Sequence, residues 1–197
     1  GNSLIGTNIG FIPTDELLKI NPKNYEDLFP FYPNEKFDVV IGNPPYLNID
    51  DTWGKKDIRL QYLKNNYSDV YNDKTDILFY FLYKAVILSQ GYTGFIVSRA
   101  FLEAYKANKL RQWLSKNSIV HELIDFRNYY IFKGVGITTC ILILKNNSKK
   151  KEAVIYKKSE NKVVLNNLII QLKQSKYFDK INISTTSFGE DIWNFSE

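Results

Sequence analysis

The chain has 197 residues, 44% of them apolar, a length that suits one domain or one domain with part of another. Its single cysteine, Cys140, and single histidine, His121, exclude a disulfide framework and a zinc site built from Cys and His side chains. The formal net charge of +5 favours an anionic partner such as nucleic acid, and it is equally typical of a slightly basic surface.

No apolar segment is long enough to cross a membrane, and the first residues lack the pattern of a signal peptide. We therefore expect a cytoplasmic protein without a membrane partner. The chain begins with Gly and contains no Met, so we also expect it to be a piece of a longer protein.

The apolar pattern predicts an α/β sheet between residues 37 and 145. Strands are predicted at 37–42, 95–98, 119–126 and 137–144, with a further edge strand at 153–156, and helices at 76–89 and 101–116. The central strands are expected to be parallel. The strands on either side of residues 127–136 are expected to be antiparallel, because no helical pattern separates them.

Three segments between these elements are predicted to be irregular. Residues 91–94 contain two glycines and are interpreted as a turn. Residues 47–74 are polar and predict a long loop with one helical turn at 58–64. Residues 146–197 are also mostly polar and predict a linker toward another domain.

Asn43-Pro44-Pro45-Tyr46 directly follows the first predicted strand. Open α/β sheets bind their ligands at this end of a strand. The side-chain oxygen of Asn43 and a carbonyl held in a fixed direction at Pro44 can accept both N–H bonds of the amine of a base, which is otherwise a poor nucleophile. Tyr46 offers a face on which a base extruded from a duplex can stack. The alternative is a proline-rich turn with a surface Tyr.

The string FDVVIGNPPY resembles motif IV of the amino-methylating DNA methyltransferases, which use S-adenosylmethionine. Four other segments resemble motifs of this family, namely residues 1–4 (motif III), 75–81 (motif V), 91–96 (motif VI) and 131–138 (motif VIII). The motif order is similar to that of the gamma class of N6-adenine-specific enzymes. The spacer between Leu4 and Phe37 resembles type IIG restriction–modification enzymes and related phage-defence methyltransferases.

This resemblance implies that residues 1–145 form the C-terminal half of a Rossmann-like methyltransferase fold, and that residues 146–197 lead to a DNA target-recognition domain. The implied reaction is methyl transfer to the N6 amine of adenine in a specific DNA sequence, within a restriction–modification system. The implied partners are double-stranded DNA with a flipped adenine and the remaining parts of the parent protein, a cofactor-binding half and a recognition domain. Motif I is absent, so we expect this chain alone to bind cofactor weakly and to be inactive.

The resemblance also implies roles for individual residues. The catalytic set is Asn43, Pro44, Pro45, Tyr46 and Phe132. Phe132 would sandwich the flipped adenine against Tyr46, and core packing is the alternative for its ring.

Cofactor contacts are implied for Asn43, for Asp76 beside the methionine end, and for Asn2, where many members have Asp. Phosphate contacts are expected for four basic residues, namely Lys55, Lys56, Arg59 and Lys133. The alternative for the basic cluster in the polar loop is a solvated charged surface. Cys140 and His121 are interpreted as structural residues.

Other functions remain open on the sequence alone. The Asn-Pro-Pro-aromatic motif also occurs in enzymes that methylate cytosine N4 and in enzymes that methylate a protein glutamine. A nucleic-acid-binding module that keeps the methyltransferase fold without its activity is a further alternative.

Overall fold

The computed structural model describes residues 3–10, 12–132, 134, 136–159 and 165–195. A six-stranded sheet with the strand order β1-β2-β4-β3-β5-β6 organises them. The strands are β1 (Phe37–Gly42), β2 (Ser89–Ser98), β3 (Ile119–Asp125), β4 (Thr139–Lys145), β5 (Glu152–Lys158) and β6 (Phe178–Ser184). The α/β sheet predicted from the apolar pattern is therefore present.

The directions of the strands determine which strand ends lie on the same side of the sheet. β1 is parallel to β2, and β3 is parallel to β5. β4 lies between β2 and β3 and is antiparallel to both, which confirms the predicted antiparallel pair on either side of residues 127–136. The expectation of parallel central strands is wrong at the centre of the sheet, because the short connection between β3 and β4 reverses the chain. β1, β2, β3 and β5 consequently run in one direction. Their carboxyl ends, at Gly42, Ser98, Asp125 and Lys158, lie along one side of the sheet, which we call the carboxyl edge.

The helices among the described residues are α1 (Thr14–Ile20), α2 (Tyr25–Leu28), α3 (Ile49–Trp53), α4 (Ile58–Asn66), α5 (Leu78–Leu88), α6 (Ala100–Glu103), α7 (Asn108–Asn117) and α8 (Leu168–Gln171). α5 packs on β1 and β2, α7 packs on β3, and the two helices contact each other. Their apolar residues, such as Leu82 and Leu110, are fully buried against strand residues such as Leu142. None of the described helices is long and apolar enough to cross a membrane.

The sheet continues past residue 145. The strand predicted at the edge, 153–156, is β5, and it lies inside the sheet because β6 pairs with it along its full length. β6 was not predicted, since its alternating exposed residues include Asp179 and Asn182 and resemble a polar loop in sequence. The proposed passage from residues 146–197 to a recognition domain stays a prediction.

Two other boundaries differ from the sequence-based ones. Residues 91–94 belong to β2 and form no turn, and Gly91 lets the two backbones approach closely, because a Cβ atom there would overlap the carbonyl oxygen of Asp38. The helix predicted at 101–116 is interrupted at Ala104, whose extended backbone separates α6 from a short 3₁₀ turn and α7.

The predicted long loop at 47–74 contains two helices. The Asn48 side chain accepts hydrogen bonds from two backbone N–H groups at the start of α3, and Asp57 accepts one from Arg59 at the start of α4. These N-caps stabilise short helices whose composition is too polar to suggest them. The helical turn predicted at 58–64 is the larger part of α4.

Candidate active site

The Asn43-Pro44-Pro45-Tyr46 segment leaves β1 at the carboxyl edge, as the sequence predicted. The side chain of Asn43 is exposed, whereas Pro44 is buried. The Tyr46 hydroxyl lies 3.0 Å from the carbonyl oxygen of Ile96 in β2 and 3.1 Å from Oδ1 of Asn43. Burial, with smaller contributions from Cys140 and Asp76, raises the pKa of Tyr46 to about 12. Its hydroxyl is therefore a neutral donor at pH 7 and fastens the segment to the neighbouring strand.

A cavity of about 250 Å³, the β1–α5 cavity, opens between the end of β1 and helix α5. Asn43 and Lys84 line it together with a mainly apolar wall formed by Pro44, Pro45, Phe81, Ala85, Leu88 and Phe95. Gly42 contributes space, because a Cβ atom there would lie 2.8 Å from the Phe95 ring. The Lys84 ammonium lies 4.8 Å from the centre of the Tyr25 ring, and burial lowers its pKa. The cavity thus suits a flat, largely apolar group.

Asp76 lines a cavity other than the β1–α5 cavity, and its predicted contact with the cofactor stays a prediction. Its carboxylate accepts hydrogen bonds from the backbone N–H groups of Leu47 (3.3 Å) and Leu78 (2.9 Å), so it joins the loop after Tyr46 to the start of α5. It lines a second cavity of about 300 Å³, bounded also by Ser98, Phe101 and other residues. Burial raises the pKa of Asp76, and the two hydrogen bonds oppose this shift. The structure does not bring Asn43 and Asp76 into one cavity.

Phe132 is partly buried in the segment that connects β3 to β4. Within the described residues its ring makes no stacking contact with Tyr46, so the implied sandwich is not formed here and stays a prediction. The segment is fastened at both ends. The Asp125 carboxylate accepts a hydrogen bond from the backbone N–H of Arg127 (2.8 Å), and the backbone N–H of Arg99 donates to the carbonyl of Thr138 (2.9 Å).

Arg99 and Asp125 are functional candidates that the sequence interpretation missed. Each lies at the carboxyl end of a strand, and the Arg99 Nε lies 3.0 and 3.2 Å from the two carboxylate oxygens of Asp125. Arg99 also pairs with Glu103 at 2.8 Å. The signal available in the sequence was a charged residue at the end of each of two predicted strands, since Arg99 directly follows the strand at 95–98 and Asp125 is the second-last residue of the strand at 119–126.

The basic residues predicted to contact phosphate differ in their exposure and in their partners. Lys55 and Lys56 are exposed at a wide cavity that also contains acidic side chains. Arg59 already has partners, because its Nε and Nη2 atoms lie 2.9 and 2.6 Å from the Asp57 carboxylate and its guanidinium lies 4.4 Å from the centre of the Trp53 ring. Two predicted site residues, Asn2 and Lys133, lie outside the described residues.

Cys140 is fully buried in β4, which confirms the interpretation of it as a core residue. His121 is half-buried in β3, with its ring 5.4 Å from the centre of the Tyr92 ring. Neither side chain lines the β1–α5 cavity.

Comparison with known sequences adds family information to this geometry. The model of the family described as Eco57I restriction-modification methylase matches residues 5–132. The type II restriction enzyme and methyltransferase RM.Eco57I of Escherichia coli is 29% identical over 195 residues, which are 98% of this chain and 18% of that protein. The type II methyltransferase M.BstVI of Geobacillus stearothermophilus is 33% identical over 95 residues, 46% of this chain and 16% of that protein. This chain therefore spans less than a fifth of the length of these relatives.

Solved structures with the same architecture include restriction–modification proteins. The methyltransferase subunit of a type I restriction-modification system from Streptococcus thermophilus superposes with a TM-score of 0.59 at 16% identity, covering 87% of this chain and 40% of that chain. The type IIG restriction endonuclease BpuSI superposes with a TM-score of 0.56 at 17% identity, covering 77% of this chain and 19% of that chain. These likenesses confirm the predicted Rossmann-like α/β methyltransferase fold.

Proposed function

Because this chain belongs to the Eco57I restriction-modification methylase family, we propose that it carries the catalytic segment of a restriction–modification methyltransferase that acts on DNA. The proposed reaction transfers a methyl group from S-adenosylmethionine to the N6 amine of adenine in a specific sequence, and the amine loses one proton to solvent after the transfer. The observation that carries the proposal is the exposed Asn43 side chain at the carboxyl edge, beside the buried Pro44 and the anchored Tyr46.

Asn43 and Pro44 supply the acceptors for the amine. Oδ1 of Asn43 and the carbonyl oxygen of Pro44 each accept a hydrogen bond from one N–H of the adenine amine, which increases the electron density on nitrogen as the new bond forms. Pro44 and Pro45 restrict the backbone, so the carbonyl direction is set before the substrate arrives. An adenine inside a duplex cannot reach these groups, and the reaction therefore requires that the base be flipped out.

The β1–α5 cavity fits part of S-adenosylmethionine. Its apolar wall, which includes Pro45 and Phe81, suits the flat adenine ring of the cofactor. Asn43 lines the same cavity. When bound, S-adenosylmethionine supplies the methyl group as an electrophile. Asp76 contributes indirectly under this proposal, by fixing the loop after Tyr46 to helix α5.

Double-stranded DNA is the proposed partner, and Lys55 and Lys56 are its proposed phosphate contacts in the polar segment after Tyr46. Both ammonium groups are exposed and can reach an anionic surface. We also keep the proposal that residues 146–197 lead toward a recognition domain.

A product analysis tests the proposed function. The natural full-length protein is incubated with duplex DNA and S-adenosylmethionine carrying a labelled methyl group, and the DNA is digested to nucleosides and analysed by mass spectrometry. We expect labelled N6-methyladenine. Labelled N4-methylcytosine would indicate that the substrate is cytosine and not adenine. Label found only in protein would indicate that the substrate is a protein and not DNA. Unlabelled DNA and protein would favour a binding module without activity.

A further inference from the structure

A cleft of about 500 Å³ lies at the carboxyl edge and shares no lining residue with the three cavities described above. It is lined by Phe126, Arg127, Asn128, Tyr129, Lys158, Ser159 and Asp179, and we call it the Arg127–Lys158 cleft. Arg127 follows the end of β3, and Lys158 is the last residue of β5. Because β3 and β5 are parallel to β1, the cleft opens on the same side of the sheet as Asn43.

The charge in this cleft is not balanced. The Lys158 residue is only 9% exposed, and its ammonium donates to the carbonyl of Ser159 and lies 5.1 Å from the centre of the Tyr129 ring. Neither Lys158 nor Arg127 forms an ion pair with a carboxylate of the described residues. The Asp179 side chain is exposed and remains beyond ion-pair distance of both. A buried ammonium without a counter-ion is unfavourable, so an anion bound here is stabilised.

The geometry of the backbone supports an anion at the same place. Arg127 has a left-handed backbone (φ 52°), and its N–H is held by Asp125, so the turn that carries its guanidinium is fixed. The side chains of Arg127 and Asn128 are exposed. A guanidinium and an amide NH2 group are suitable donors for a phosphate, and Arg can contact phosphate with two parallel hydrogen bonds.

We propose that the Arg127–Lys158 cleft binds a backbone phosphate of the DNA duplex at a fixed distance from the target base. This inference rests on the proposed function. β3 and β5 lie three and four strands from β1, which corresponds to roughly 14–19 Å at about 4.8 Å per strand. In this proposal the duplex axis runs across the strands along the carboxyl edge, and a rise of about 3.4 Å per base pair then puts the phosphate roughly four to six base pairs from the flipped adenine.

The salt dependence of DNA binding tests this cleft. Arg127→Gln and Lys158→Gln are compared with Lys116→Gln in the natural full-length protein, after the wild type has been shown to methylate DNA. Lys116 is an equally basic, exposed residue just before β3, at the opposite edge of the sheet. Each lost phosphate contact is expected to reduce the slope of log K against log[salt] by about 0.9. We expect this loss for the cleft variants, an unchanged slope for Lys116→Gln, and an unchanged kcat at saturating DNA for all three.

A second measurement locates the phosphate. Single neutral methylphosphonate groups are introduced along the duplex, one position at a time. We expect the wild type to lose affinity at a position about four to six base pairs from the target adenine, and Arg127→Gln to be insensitive at that position. This readout does not depend on Lys158, whose substitution can affect folding because the residue is buried.

The possible outcomes separate failure of the phosphate-site inference from failure of the proposed methyltransferase function. If the wild type methylates DNA and both cleft variants keep the wild-type slope, the cleft is not a phosphate site and the proposed function stands. An equal sensitivity of the wild type and Arg127→Gln to every methylphosphonate also overturns the inference, because it indicates a diffuse field. A wild type that neither binds nor methylates DNA overturns the proposed function together with the inference.

Discussion

The Tyr46 hydroxyl lies 3.1 Å from Oδ1 of Asn43, so the two polar side chains of the Asn-Pro-Pro-Tyr segment contact each other. The same hydroxyl lies 3.0 Å from the carbonyl oxygen of Ile96. Tyr46 therefore has a role in positioning the segment on the sheet, in addition to the base stacking proposed for its ring. A hydroxyl has one hydrogen, and the carbonyl of Ile96 competes with Asn43 for it. Oδ1 of Asn43 thus retains capacity to accept the amine of a base.

Substitutions of Tyr46 separate its hydroxyl from its ring. Tyr46→Phe removes the hydrogen bond and keeps the stacking face, and we expect a loss of about 0.5–1.5 kcal/mol, a factor of roughly 2 to 10 in kcat/KM. Tyr46→Ala also removes the stacking, which is worth about 1–3 kcal/mol per base. A fluorescent adenine analogue at the target position reports flipping, and its signal should fall for Ala and remain for Phe. Equal signals for Phe and Ala would contradict a stacking role.

Asn43→Ala tests the acceptor directly. Loss of a preorganised hydrogen-bonding group that stabilises the transition state typically costs about 2.7–4 kcal/mol, or roughly a hundred- to a thousand-fold in kcat. The affinity for DNA should change little, because the proposed contacts of Asn43 are with the flipped base and the cofactor and not with the DNA backbone. Single-turnover methylation and DNA-binding titrations measure the two effects. Asn65→Ala, on the exposed surface of α4, is the control and should keep wild-type turnover. If Asn43→Ala methylated DNA at a rate within about twofold of wild type, the catalytic assignment would be wrong and the segment would be a structural turn.

The sequence was sufficient to predict the elements that are continuous apolar segments. β1, α5, β3 and β4 are such segments, and their predicted positions agree with the structure to within a few residues, although β1 is a sheet-edge strand with exposed Val39 and Ile41. The Asn-Pro-Pro-Tyr segment was predicted at the end of β1 because consecutive prolines cannot continue a strand in a sheet.

Elements stabilised by capping or by edge pairing were missed. Helix α3 depends on the side chain of Asn48, and β6 depends on pairing with β5, and neither leaves an apolar pattern in the sequence. The ion pair of Arg99 and Asp125 joins residues that are 26 positions apart, and only the insertion of β4 between β2 and β3 fixes their relative position. Such long-range contacts are not encoded in local periodicity.

A pair of glycines in β2 provides a test of backbone packing. A Cβ atom at Gly91 would overlap the carbonyl oxygen of Asp38, so Gly91→Ala forces the two strands apart and should lower the free energy of unfolding by about 1–3 kcal/mol. Gly94→Ala is the matched control, because a Cβ atom there lies 3.6 Å from the Ile41 side chain, an ordinary contact. The control should change stability by less than about 1 kcal/mol. Chemical denaturation of both variants gives the comparison, and equal effects would contradict the close approach.

The two carboxylates that pair with Arg99 should differ in importance. Asp125 is 7% exposed and also accepts a hydrogen bond from the backbone N–H of Arg127, so Asp125→Ala leaves that N–H without its partner and leaves Arg99 with Glu103 as its ion pair. We expect a loss of about 1.5–3 kcal/mol in the free energy of unfolding. The Glu103 side chain is 46% exposed, and Glu103→Ala should cost about 0–1 kcal/mol, as surface ion pairs do. Urea unfolding measures both values. An equal or larger cost for Glu103→Ala would exclude the proposed role of Asp125 as the anchor of the segment that carries Phe132.

His121 should make stability depend on pH on the acidic side of neutrality. Burial, repulsion from Lys150 and a smaller repulsion from Lys145 lower its pKa from 6.5, and attraction to Glu122 opposes them. Well above pH 6.5 the imidazole is neutral in the folded and the unfolded chain, so it contributes no pH dependence there. As the pH falls below 6.5, the unfolded chain binds the proton first, and stability decreases until the lowered pKa of the folded state is passed.

His121→Gln removes this contribution, so the difference in melting temperature between pH 7.5 and pH 5.5 should be smaller for the variant than for the wild type, both pH values being about one unit from the pKa of a free imidazole. The chain has one His, and its imidazole therefore gives a single NMR titration curve. We expect its midpoint below 6.5 in the folded chain and near 6.5 in urea. A folded midpoint at or above 6.5 would mean that the attraction to Glu122, whose carboxylate lies 3.9 Å from Nε2, exceeds the cost of burial.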